Sequence, residues 1–250
     1  MAALLPDVLP LWAAASLTLL SFFTSFLAAA VGLGGGVIML AVMAILLPPA
    51  AIIPVHAVVQ IGSNAGRAMI MRRDIERKVA GLVIAGSVIG AILGGMLVVE
   101  LPTGILLLAI GLFILQTQWL PLPKMAKTGK PGLLIGGAIS SFLTMFLGAT
   151  GPFLAAFTRP LIPAKERYVA SHAAMMTIQH GLKIIVFGVL GFAFAPWLPL
   201  LIAMIGFGFL GTLAGRSVLL RLPDHLFNIG LKWVLTVAAL RLIWDGVGQF

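Results

Sequence analysis

Five polar residues on one stretch of the chain, His56, Gln60, Ser63, Asn64 and Arg67, stand at i, i+4, i+7, i+8 and i+11. At about 100° per residue they form a single helical stripe about 100° wide. A second set follows 116 residues later (172 − 56): His172, Met176, Gln179, His180 and Lys183. Together they supply amide and hydroxyl donors, imidazoles and two cations, with no carboxylate among them. Groups of these types hold and neutralise an anion. They offer no acid to bind Na⁺ or relay a proton, so any proton coupling falls to His56, His172 or His180, because the unperturbed pKa of an imidazole suits that role. Taken singly, each residue also fits a plainer role, as hydrogen-bonding glue between helices or, for Arg67, as a cation snorkelling to a nearby surface. His56 and His172 sit near expected helix starts, and His225 follows Pro223-Asp224 at another, as an interfacial residue. The recurrence of the pattern favours function. No metal is expected, because no carboxylate or cysteine accompanies the histidines, and no cofactor motif is present.

Two glycine-rich clusters share the 116-residue offset. Gly32-Leu33-Gly34-Gly35-Gly36 corresponds to Gly148-Ala149-Thr150-Gly151-Pro152, and each precedes an apolar segment about half the length of a membrane span. The first cluster matches neither a Walker pattern nor a dinucleotide fingerprint, and no strand precedes it. Small residues also serve close helix packing. A short half-helix after each cluster would instead present free amide N–H groups and the positive end of its dipole to an anion. The expected substrate-binding set is therefore Gly34, Gly35, Gly36, His56, Gln60, Ser63, Asn64, Arg67, Thr150, Gly151, His172, Gln179, His180 and Lys183.

These residues need a membrane-embedded frame. Hydrophobic residues make up 61% of the 250 positions and charged ones 9%, with mean hydropathy +1.15, beyond what a soluble core can hide. The expected fold is all-α and polytopic, with the lipid bilayer and a small anionic substrate as partners. The net charge of +9 comes from cations gathered between apolar spans, which is a topological signal and no sign of nucleic-acid binding. Cysteine is absent, which removes disulfides and thiolate chemistry. The first 30 residues lack the basic start of a signal peptide and read as a retained first helix.

Apolar segments in the first half run from Leu11 to Val31, Val37 to Leu47, Val55 to Met71, Val79 to Val99 and Thr103 to Leu120. The second half repeats them as Leu133 to Leu147, Phe153 to Ile162, Val169 to Phe187, Trp197 to Leu219 and His225 to Ile243. An odd count per half inverts the second copy. The loop charges agree, since basic Arg72 to Lys78 corresponds to uncharged Gly188 to Leu198, and Glu100-Leu101-Pro102 to a stretch holding Arg216 and Arg221. The expected organisation is one transmembrane domain over 1–250: a first repeat near 11–120, a cytoplasmic linker over 121–131 and a second repeat near 132–248. Arg72 to Lys78, Lys124, Lys127, Lys130, Arg159, Lys165, Arg167, Arg216 and Arg221 then face the cytoplasm. The N-terminus, Pro48 to Pro54, Glu100 to Pro102, Gly188 to Pro196 and Asp245 to Phe250 lie outside, so both termini are external.

Three residue patterns carry a family resemblance: Gly32-Leu33-Gly34-Gly35-Gly36 after an apolar helix, His56-Ala57 with Asn64 and Arg67 downstream, and the degenerate second copy around Gly148 to Pro152. Over nearly its whole length the chain resembles the TauE/SafE group of anion permeases. The resemblance implies a bacterial inner-membrane carrier that exports sulfite, sulfoacetate or a related organosulfonate. Permeation of another small anion or organic acid is the alternative. The second copy departs from the first at Thr150, Pro152 and Met176, where the first has Gly34, Gly36 and Gln60. An intramembrane hydrolase using Ser63 with His56 or His180 lacks both a nucleophile elbow and a buried acid. A cation permease lacks acidic ligands.

Overall fold

A computed structural model describes residues 9–31, 34–98, 102–120, 129–217 and 224–250, without the side chains of 31, 224–231 and 234. The parts of the glycine cluster at Gly32 and Leu33, and the expectations for Glu100, Lys124, Lys127, Arg221 and the His225 side chain, lie outside that set. The described residues form ten α-helices and no strand: α1 (Leu11–Val31), α2 (Gly35–Leu46), α3 (Pro49–Ile70), α4 (Arg77–Leu97), α5 (Thr103–Trp119), α6 (Gly129–Leu147), α7 (Gly151–Thr158), α8 (Lys165–Val189), α9 (Leu198–Arg216) and α10 (Asp224–Val247). Four described stretches are long and apolar enough to cross a membrane: Leu11–Ala30, Arg77–Leu97, Gly129–Leu147 and Ala195–Arg216.

Two boundaries correct the sequence reading. Pro48 to Pro54 is not an external loop, because α3 starts at Pro49 and continues through Pro54. Proline suits the first helical turn, where its missing N–H has no intrahelical acceptor to lose. His56 and His172 therefore each stand eighth in their helices rather than at the starts. The last residues of the expected linker, 129–131, already belong to α6.

Interhelical contacts fix the helix directions. Cβ atoms added at Gly86 and Gly90 of α4 would strike the Leu134 and Ala138 carbonyls of α6, and at Gly211 and Gly215 of α9 the Phe22 and Phe26 carbonyls of α1. Both series ascend together, so α4 runs parallel to α6 and α9 parallel to α1. Without side chains at the contact, the backbones approach closely enough for dispersion to hold them in lipid, where no hydrophobic force drives helices together. Helix α3 follows α9, with Gly62 on Ile205 and Gly66 on Phe209. Helix α8 follows α4, with Gln179 bonded to Ser87 and Val186 against Gly95. By contrast α3 and α8 are antiparallel, since His56 meets His180 whereas Met71 shares a cluster with Tyr168. Helices α5 and α10 also run antiparallel, with Gly104 against Gly246 at one end and Trp119 bonded to Thr236 at the other.

These directions gather Arg72, Arg73, Arg77, Lys78, Lys130, Arg159, Lys165, Arg167 and Arg216 at one end of the bundle, hereafter the basic end. The stripe helices α3 and α8 cross at its centre. Their polar faces are buried there because lipid offers those groups no hydrogen-bond partner.

Candidate functional site

Helices α2 and α7 are short, 12 and 8 residues, or about 18 and 12 Å. Each begins at a break in the chain. Gly34 has φ of 96° before α2, and Gly148 has φ of 77° before α7, a left-handed backbone that a side chain would strain. Neither α2 nor α7 carries a side-chain N-cap. The first amides of each helix therefore have no helical acceptor, although Pro152 removes one donor from α7.

A cation braces each break. Arg67 donates from Nη1 to the Ala28 carbonyl at 2.6 Å and from Nη2 to Asn64 Oδ1 at 3.1 Å. Lys183 Nζ donates to the Gly148 carbonyl at 2.6 Å, which also accepts from Thr144 Oγ1 at 3.1 Å. Both cations thus meet carbonyls at the C-terminal ends of α1 and α6, the negative ends of those dipoles. This local role is invisible to a search for anion ligands.

Between the two breaks lies a cavity of about 40 Å³, room for about three waters. Helix α3 lines it with His56, Gln60, Asn64 and Arg67, and α8 with His172, Met176 and His180. The breaks contribute Gly34, Gly35, Gly36 and Gly151. His56 Nε2 donates to the Gly36 carbonyl at 2.9 Å, and Asn64 Nδ2 to the Gln60 carbonyl at 2.8 Å. Three polar atoms of cavity residues are buried without a protein partner: Arg67 Nε, His56 Nδ1 and His172 Nδ1. Buried polar atoms are nearly always satisfied, so orphans around one cavity mark a place where a polar guest completes the bonding. No Asp or Glu lines the cavity among the described residues.

Ten of the fourteen expected residues thus meet at the cavity, and four stand behind it. Gln179 is spent on α4 and α6, donating to Ser87 Oγ at 2.9 Å and accepting from Ser140 Oγ at 3.2 Å. Thr150 Oγ1 donates to the Ser140 carbonyl at 3.1 Å. Ser63 and Lys183 are buried away from the cavity lining. Sequence reasoning missed the apolar part of the wall, Met176 with Val37, Ala149 and Pro152. Met176 stands on the second stripe in the place of Gln60, but an apolar residue advertises no chemistry by itself.

The family model for the sulfite exporter TauE/SafE matches residues 17–242 of the chain. No curated protein and no solved structure matches it. The family match takes in every helix from α2 to α9, both chain breaks and the whole cavity wall. The chain belongs to the TauE/SafE sulfite exporter family, a family of transporters, and is a multi-pass membrane protein.

Proposed function

We propose that the chain exports a small sulfur-containing oxyanion, such as sulfite, sulfoacetate or a related organosulfonate, by alternating access. The cavity carries this reading. It brings a guanidinium, two imidazoles with orphaned nitrogens and two uncapped helix starts to one cavity whose described lining lacks acids. Such fixed donors stabilise negative charge in a low-dielectric interior. Arg67 provides the direct attraction. Lys183 acts at one remove, through the backbone that shapes α7.

The helix directions support two inverted copies. At the 116-residue offset α1 corresponds to α6, α3 to α8 and α4 to α9, and each pair runs in opposite senses as traced above. With the basic end on the cytoplasmic side, as positive-inside placement requires, both termini are external; the family resemblance implies a bacterial inner membrane. An inside-negative potential then drives the anion outward by about 2.3 kcal/mol per charge per 100 mV.

Thermal unfolding of the detergent-solubilised protein against sulfite, sulfoacetate, methanesulfonate, sulfate and acetate tests the reading. A ligand at 100 times its Kd stabilises the native state by about 2.7 kcal/mol, a shift of several degrees. The sulfur anions should raise the midpoint, and Arg67→Met should abolish the shift while Arg67→Lys retains part of it. A flat response to the whole panel in the parent protein defeats the proposal.

A further inference from the structure

The hydrogen bond that holds His56 also decides what the ring offers the cavity. Its Nε2 lies 2.9 Å from the Gly36 carbonyl oxygen, which can only accept, so the ring hydrogen sits on Nε2. A neutral ring then leaves a bare lone pair on Nδ1. That atom is buried without a partner, in a residue with no solvent exposure on the cavity wall. Facing an anion, a lone pair repels. With a proton it becomes a charged donor.

The surroundings make that proton conditional. From α8, the His180 ring stands edge-on with centroids 5.7 Å apart, and Lys183 Nζ is 3.5 Å from His180 Nδ1. From α2 comes the Gly36 carbonyl, already used by Nε2. On α3 itself stand Gln60 and, further along, Arg67; His172 and His180 complete the ionisable groups of the lining. Among the described residues every ionisable neighbour is basic, so none of them can balance a positive charge on Nδ1. An incoming anion can.

We propose that the anion and one proton bind together, with the proton on His56 Nδ1. This rests on the anion-site reading above and adds its coupling. The proton comes from solvent or arrives on the acid form of the anion. In either case the site gains one anion and one H⁺, and no bond other than N–H is made. A divalent oxyanion bound in this way still carries one net negative charge, so the membrane potential continues to favour its exit.

Methanesulfonate is the probe, because it has no group that titrates near neutral pH and any proton taken up belongs to the protein. Calorimetric binding to the purified full-length protein, repeated in buffers of different ionisation enthalpy, counts those protons. About one proton per anion is expected, with the Kd rising about tenfold per pH unit as pH increases. His56→Gln, whose amide can still donate to the Gly36 carbonyl, should bind with no uptake and a flat pH profile. His172→Gln should keep the uptake. Binding without proton uptake in the parent, or loss of uptake in His172→Gln with retention in His56→Gln, overturns the assignment. If the parent binds none of the sulfur anions, the anion site itself is refuted and this coupling falls with it. The two failures are therefore distinct.

Discussion

The two ends of the α3–α8 crossing hold residues 116 positions apart in different surroundings. At the basic end Met71, Val169 and Ala170 are buried in one apolar cluster with Ala155, Ile162 and Tyr168. The α3–α4 turn is tied over it, through an ion pair from Arg167 to Glu76 and a hydrogen bond from the Glu76 amide to Ser171 Oγ at 2.7 Å. At the other end the residues at the same spacing, Phe187, Ile53 and Pro54, surround a cavity of about 410 Å³ with Leu190, Gly191 and Phe192. One end is filled; at the other, Ile53 is buried in the main core and Phe187 packs against it, yet the space beside them is hollow. Two pieces of chain at the same spacing in two surroundings are what the proposed alternating carrier requires. The lesson is that the asymmetry lies in the packing around α3 and α8, while the helices themselves stay matched.

The sharpest way to break the comparison is to truncate its matched side chains. Met71→Ala empties a packed cluster and should cost about 2 to 5 kcal/mol. Phe187→Ala removes a wall that already faces open space, leaves little new void and should cost less than about 1 kcal/mol. Thermal unfolding of both variants in one detergent reads the difference. Equal losses would show that the hollow is as tightly supported as the cluster.

Accessibility gives a second contrast of smaller size. The parent chain has no cysteine, so a single introduced thiol reports without background. Leu190→Cys, 43% exposed at the rim of the hollow, and Phe192→Cys should react with a water-soluble maleimide at least about tenfold faster than Val169→Cys and Ala170→Cys, whose reaction waits on an opening of the cluster. Similar rates at both ends would remove the packing difference as a description of the protein in solution.

Much of this was legible in residue order, for identifiable reasons. The stripe from His56 to Arg67 foretold a buried polar face because helical period and the cost of polar groups in lipid act locally. All five of its residues are buried. The glycine clusters foretold the chain breaks because a left-handed φ at Gly34 and Gly148 needs that residue type. What escaped depends on which helices become neighbours. Gln179 looks like a ligand until α4 and α6 bring Ser87 and Ser140 to it, and Lys183 looks like one until the Gly148 carbonyl occupies its amine. The start of α3 was misplaced because Pro49 and Pro54 read as loop punctuation, although one sits in the first turn and the other loses a single backbone bond to a helix held by its neighbours.

The finest test of the end-to-end contrast concerns the tie across the basic end. Arg167 and Glu76 are partly solvent-exposed, at 55% and 26%, so their attraction is screened. A pair of this kind contributes about 0.2 to 1 kcal/mol. Removing it with Glu76→Gln or Arg167→Met leaves the Met71 cluster packed and should only tilt the balance between the two packings. In the Val169→Cys background, labelling should rise by up to about fivefold, the population change that 1 kcal/mol allows. In the Leu190→Cys background it should fall or stay level, because on the alternating-access reading whatever opens one end closes the other. The charge-reversed pair Glu76→Arg with Arg167→Glu should restore the parent rates. A rise at both ends would mean that the ion pair holds the bundle together generally, and the two ends would then loosen independently rather than exchange states.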